Sequence, residues 1–370
     1  MSYLENLPVI PAAQWPRIRD ISIPLARADG GNTLRAELDK AICFVGAAHA
    51  YRLCNGECPE GFIRTLDLAR TVDAQVAKGH RRFRLNNGGM TYRAQVGANA
   101  EHLDLQLRVL PQETPALSAL DMAAGWRSLL LDDSLLNGGL ILVTAPNGQG
   151  KTTTASSIVR SRLEHFGGMA NTVEDPIELP LQGVWNRGLC YQRPIDDSAR
   201  DPGDGYYYSM LDALRQFPAI SGGGTILFVG EIRDAKTAIE TLKAAINGHL
   251  VVATMHSKSI PTALRRIITL ASDPVSGVQS DLAREMLSDS LRCVISQRLS
   301  WQLDQTGWSA AKVVGQILWS AGYRSDVAQA LRDQPLDSLH ELATRQSEDV
   351  QKYEQGGQPA SMRAAFRGND

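Results

Sequence analysis

The chain has 370 residues, 43% hydrophobic and 21% charged, with 38 basic against 40 acidic side chains, the profile of a globular protein of two or three domains. The near-zero net charge argues against a nucleic-acid coat or a polybasic membrane binder, and no apolar run approaches the roughly 18 residues of a membrane-spanning helix. The opening MSYLENLPVI lacks a basic stretch followed by an apolar one, so it does not read as a secretory signal, and five scattered cysteines point to a reduced, cytoplasmic setting without a disulfide framework.

Residues 1–112 read as one small α+β unit. RRFRLN (81–86), MTYRAQV (90–96) and LDLQLRVL (103–110) alternate like strands, joined by the NNGG and GANAE turns. The stretch LRAELDKAICFVGAAHAYRL mixes helical and strand spacing and stays unassigned. Cys54 and Cys58, in CNGEC, have the look of half a metal knuckle, but no matching pair of ligands follows, and ordinary thiols are the simpler reading.

PQETP (111–115) has linker composition. Beyond it, over 113–345, apolar runs alternate with amphipathic stretches, the sign of an α/β domain on a parallel sheet. The runs are GLILVTA (139–145), ANTVE (170–174), TILFVGE (225–231) and HLVVATM (249–255). After about residue 260 the spacing reads as helical, including LAREMLSDSLRCVISQRL (282–299). From 346 to 370 the composition is polar and predicts a mobile tail.

APNGQGKTT (145–153) sits between a strand and a helix-forming stretch, the context a P-loop requires. Gly148 and Gly150 let the backbone curl so that N–H groups point at phosphate oxygens. Pro146, Asn147, Gly148, Gln149, Gly150, Lys151, Thr152 and Thr153 form the predicted nucleotide cradle. Lys151 reaches the β- and γ-phosphates, and Thr152 offers its hydroxyl to Mg²⁺. Ala145 stands where the motif usually begins with glycine. A chance Lys-Thr pair beside glycines is the competing explanation, and the strand–loop–helix context weighs against it.

Three strand ends carry polar groups that would face the same crevice. Glu231 ends TILFVGE, where a carboxylate joins the outer shell of Mg²⁺. Glu174, in TVEDPIE, is placed to orient or deprotonate an attacking water, although EDP by itself is also a common turn. His256 ends GHLVVATMHS, where an imidazole would sense the γ-phosphate; a lone histidine is more often structural. The set of three with the cradle is more specific than any member.

APNGQGKTTT, TVEDPIE, LFVGEIRD and GHLVVATMHS, in that order, resemble the Walker A, Asp box, Walker B and His box of the secretion ATPase superfamily of type II secretion, type IV pilus and type IV secretion systems. The likeness implies a RecA-like P-loop NTPase domain behind a smaller PAS-like N-terminal domain, in a homohexamer that hydrolyses ATP with Mg²⁺. It implies Glu174 as general base, Glu231 as the Walker B acid and His256 as sensor. RRFRLN…LRVLP is similar to the N-terminal stretch whose arginines reach the nucleotide, which matches Arg93 and Arg108. Arg215 survives from an arginine-rich stretch before Walker B, in which Leu211 and Phe217 depart from the family pattern and a glycine-rich insertion (221–224) follows. The CxxC zinc module and the SDLHL signature of retraction motors are missing, which leaves the type IVB secretion and conjugative-transfer branch as the most similar, with pilus retraction as the alternative.

The implied setting is cytoplasmic, peripheral to the inner membrane through platform or coupling proteins. Rival readings are a RecA-like nucleic-acid motor, a non-catalytic nucleotide-binding ring scaffold and a P-loop kinase. The basic cluster HRRFR (80–84) lacks interleaved aromatics, so no direct stable nucleic-acid binding is expected.

Overall fold

The structure, a computed structural model, describes residues 7–11, 18–27, 34–45, 49–53, 65–78, 80–87, 89–98, 103–195, 204–217, 224–274, 277–304 and 307–354. The chain divides into two compact units, Met1–Glu113 with Glu178–Pro180, and Thr114–Ile177 with Leu181–Asp370.

The first unit is an antiparallel sheet. Its strands are β1 (Ile18–Arg27), β2 (Leu34–Ala36), β3 (Ile42–Val45), β4 (His49–Arg52), β5 (Arg82–Asn87), β6 (Met90–Ala98) and β7 (Leu103–Leu110), with helix α1 (Thr65–Ala77) between β4 and β5. Their order is β4-β3-β1-β7-β6-β5, and β2 also pairs with β1. Period-two alternation is visible in the burial. Phe83 and Leu85 turn inward while Arg82 and Arg84 turn out, and Leu105 and Leu107 flank the exposed Gln106. The segment 34–53, whose sequence favours neither element, supplies β2, β3 and β4, with Cys43 fully buried in the core.

The second unit comprises α2 (Ala124–Leu130), β8 (Gly139–Ala145), α3 (Lys151–Phe166), β9 (Gly168–Glu174), β10 (Gly183–Trp185), β11 (Gly188–Pro194), α4 (Gly205–Gln216), β12 (Thr225–Val229), α5 (Ala235–Ile246), β13 (Leu250–His256), α6 (Ile260–Ala271), α7 (Ser280–Ser290), β14 (Leu291–Asp304), β15 (Gly307–Trp319), α8 (Asp326–Asp333) and α9 (Leu339–Glu354). The strands form one sheet, β10-β11-β9-β12-β13-β8-β14-β15. The strands from β11 to β14 pair in parallel, and β10 and β15 are antiparallel edges. Apolar clusters cover both faces. Along β8, Leu140 and Leu142 join one cluster while Ile141 and Val143 join the other. Burial on two sides is why this strand reads as an unbroken apolar run.

Two expectations are corrected. The helix predicted over 282–299 ends at Ser290, and 291–304 is strand β14. Leu291 and Val294 pack on one face of the sheet, Cys293 and Ile295 on the other. A run buried on both sides cannot be told from a helix by periodicity alone, and here the β-branched Val294 and Ile295 belong to the strand. The polar tail predicted from 346 is helical to Glu354, with Val350 fully buried in the apolar cluster that also holds Trp126 and Leu130 of α2; residues 355–370 lie outside the described residues. Replacing Val350 with Asp would force a carboxylate into that cluster. Loss of about 3 kcal/mol or more is expected, read as a lower urea midpoint than wild type; an unchanged midpoint would mean that α9 is dispensable.

Candidate nucleotide site

The site grows from the register of four neighbouring parallel strands. Ala145 of β8 pairs with His256 of β13, and Val229 of β12 pairs with both Ala253 of β13 and Val173 of β9. The carboxyl ends of β9, β12, β13 and β8 therefore share one edge of the sheet. Glu174, Gly230 and Glu231, His256 and the 146–150 loop all leave the sheet there.

The loop turns through Gly148 (φ 72°) and Gly150 (φ 75°), and Gly150 caps α3 from the left-handed region. Side-chain-bearing residues resist that region, which is why both positions are glycine. Lys151, the first residue of α3, is only 9% exposed. Its Nζ donates to the carbonyl oxygens of Ala145 (2.9 Å) and Pro146 (3.0 Å) and lies 3.2 Å from His256 Nδ1. Thr152 and Thr153 follow in the first turn, half-buried.

On its far side the imidazole faces a carboxylate, with His256 Nε2 3.5 Å from Glu231 Oε1. Glu231 Oε2 accepts from Arg233 Nε at 2.8 Å. The neutral tautomer with its proton on Nε2 suits both neighbours, offering a lone pair to the ammonium and an N–H to the carboxylate. Burial, and then the Lys151 charge, hold the His256 pKa below the ordinary 6.5; Arg266 and Arg233 act in the same sense and Glu231 opposes them. Arg266 Nη1 also donates to the His256 carbonyl at 2.9 Å, which anchors the strand end.

Glu174 closes β9 and is 2% exposed. Its Oε1 accepts from Gln192 Nε2 of β11 at 3.0 Å. Gly230 lies flat against it: its N–H donates to Val173 O at 2.9 Å, and an added Cβ would come within 3.3 Å of Glu174 Cα. The close approach of these two strand ends thus depends on Gly230 having no side chain.

The structure joins Lys151, His256 and Glu231 directly and sets Glu174 on the adjoining strand end. Arg215, in the last turn of α4, has a side chain 74% exposed and pairs with Asp212 at 3.8 Å. Arg93 and Arg108 belong to the first unit, where they are cross-strand partners on β6 and β7, and Arg108 Nε donates to Asp20 Oδ1 at 2.7 Å. Cys54, Cys58 and the insertion residues 221–223 lie outside the described residues. Among the described residues no group of three or more His, Cys, Asp or Glu is arranged to hold a metal, and no helix is long and apolar enough to cross a membrane. Sequence reasoning did not reach Arg233, Gln192 or Arg266. Arg233, two residues beyond Glu231, was the one with a local signal.

A glycine loop between a buried parallel strand and a helix, with polar residues at the neighbouring strand ends, defines a RecA-like P-loop fold. The family model described as "Type II/IV secretion system protein" matches residues 71–362, and the chain belongs to that family. It is similar to the uncharacterized protein YggR of Escherichia coli K12, 33% identical over 207 residues, 56% of this chain and 57% of that one. The chain spans about half the length of the first curated relatives it matches, 57% and 54%. The crystal structure of the pilus retraction motor PilT with bound ADP superposes with a TM-score of 0.63 at 24% identity, over 92% of this chain and 90% of that one. The ATPase DotB of Legionella pneumophila gives 0.63 at 20% identity, over 95% and 93%. These likenesses establish the fold.

The lowered His256 pKa has a checkable sign. As pH falls the unfolded imidazole protonates first, so the stability tied to neutral His256 is present above about 6.5 and is lost as pH drops through the lower folded value. An NMR titration should place the His256 midpoint below 6.5. Lys151→Met should raise it and Glu231→Gln should lower it further; shifts of the opposite sign would refute the arrangement.

Proposed function

We propose that this protein hydrolyses ATP and turns the cycle into mechanical work on a secretion, conjugation or pilus assembly. The observation that carries the reading is the continuous polar chain Lys151–His256–Glu231 at the strand ends beside the glycine loop. It is supported by the family match and by the likeness to the ATPase DotB and the retraction motor PilT.

In this reading the loop N–H groups and the start of α3 receive the phosphates, and Lys151 exchanges its carbonyl partners for phosphate oxygens. Thr152 would hold Mg²⁺ through its hydroxyl. Both Glu231 oxygens already have partners in Arg233 and His256, which suits a place behind the direct ligands. When bound, Mg²⁺ supplies charge neutralisation on the phosphate oxygens. Glu174 orients the water and takes its proton, its carboxylate fixed by Gln192. His256, bridging Lys151 and Glu231, registers loss of the γ-phosphate. Arg108 and Arg93 neutralise charge developing in phosphoryl transfer when the N-terminal unit of the same or of the next subunit closes over the nucleotide, with 111–115 as the hinge. Arg215, exposed on α4, acts at a subunit boundary of a homohexamer.

The protein would work on the cytoplasmic side of the inner membrane, on platform or coupling proteins. The sequence absences favour a type IVB-like secretion or conjugation machine. The equal likeness to PilT keeps pilus retraction as the second reading, and a deletion strain scored side by side for plasmid transfer, effector export and twitching separates them.

Phosphate release by the purified full chain is the direct measurement. Lys151→Ala should lose nucleotide binding or turnover, and Glu231→Gln should retain binding but stop hydrolysis. Normal steady-state ATPase in the Glu231→Gln protein would overturn the role given to that carboxylate. Strong stimulation by DNA or RNA with steep salt dependence would favour a nucleic-acid motor instead.

A further inference from the structure

The phosphate loop is held by a residue about 150 positions away in sequence. Gln297, on β14, is 3% exposed. Its Nε2 donates to the main-chain carbonyl of Gln149 at 2.7 Å, and the Gln149 side chain answers two residues along, Oε1 accepting from Leu299 N–H at 2.8 Å. Gln149 lies between Gly148 and Gly150, both at positive φ. Peptide units flanked by glycines flip at little cost, so the loop sequence alone does not fix which way the Gln149 carbonyl points.

We propose that Gln297 is a positioning residue that locks the peptide between Gln149 and Gly150 in its anion-binding orientation; the inference rests on the nucleotide reading above. In a trans peptide the C=O and N–H point in opposite directions. With the Gln149 carbonyl pinned toward β14, the Gly150 N–H is directed away from β14 and is free to serve a phosphate. A flipped unit would present a carbonyl oxygen to the anion instead. Two further observations support a dedicated clip. Gln297 Oε1 is buried with no hydrogen-bond partner among the described residues, an unfavourable state for an amide oxygen. Of the two ends of the Gln297 amide, the Nε2 end is the one engaged, and its partner is Gln149. A Cβ on Gly150 would touch Gln297 Nε2 at 3.4 Å and Leu299 at 3.5 Å, so β14 packs directly beneath the loop.

β14 also ties the loop to the end of the described chain. It pairs with β15, whose Ile317 and Trp319 N–H groups donate to Ser347 Oγ and Gln346 Oε1 of α9. The cradle and the C-terminal helix thus share one hydrogen-bonded framework.

The test uses the full chain and equilibrium binding of a fluorescent ATP analogue, which is read without turnover. Gln297→Met keeps the length of the side chain and removes the amide; about a tenfold loss of affinity is expected, with the melting temperature of the nucleotide-free protein little changed. Gln297→Glu, which sets a carboxylate oxygen against the Gln149 carbonyl, should lose more. Gln149→Ala removes only the side-chain half of the clip and should lose less than Gln297→Met. Wild-type affinity in Gln297→Met overturns the inference while leaving the nucleotide reading intact. A wild-type chain that binds no ATP analogue defeats the nucleotide reading itself and the inference with it. If neither Gln297 variant folds, the residue is part of the core and the positioning role is likewise overturned.

Discussion

A lysine ammonium withdrawn from water sets the terms for this site. Lys151 keeps 9% of its surface, so protein atoms must replace its hydration. Two main-chain carbonyls and the imidazole of His256 are among the groups that do so. Neutral lone pairs satisfy a cation less well than an anion does. The proposed exchange of these partners for phosphate oxygens follows from that difference. Burial first, and then the same charge, lower the His256 pKa, and it is a neutral imidazole that can join an ammonium to a carboxylate.

Such an arrangement needs a sheet buried on both faces. In β8, β12 and β13 most interior positions are apolar and buried on either side, so polar groups gather towards the strand ends. Parallel pairing then gathers those ends on one edge, where α3 also begins. Gly230 completes the geometry by letting the end of β12 lie against Glu174. The site is thus a consequence of the sheet's architecture and not of any one loop.

The cradle also depends on chain far from it. Gln149 is gripped from β14, and β14 is carried by the hairpin with β15 and by α9. The segments after residue 290, which contain none of the residues expected to do chemistry, support the glycine loop. This organisation suits a protein whose proposed work is to pass a change at the phosphate to the rest of the molecule.

Local physics wrote part of this structure into the sequence. Alternation marked β5, β6 and β7, unbroken apolar runs marked β8, β12 and β13, and glycines ahead of Lys151 and Thr152 marked the loop. The polar residues at or just past the ends of β9, β12 and β13, Glu174, Glu231 and His256, could be named because a buried strand must stop where its side chains need water or partners. Strand β14 was misread as helix, since a run buried on both faces has no period to reveal it. The grip of Gln297 on Gln149, of Arg233 on Glu231 and of Gln192 on Glu174 was settled only by the fold. Chain periodicity reports which side of an element is buried; strand order and register decide which distant groups become neighbours, and hydrogen bonds act only between neighbours.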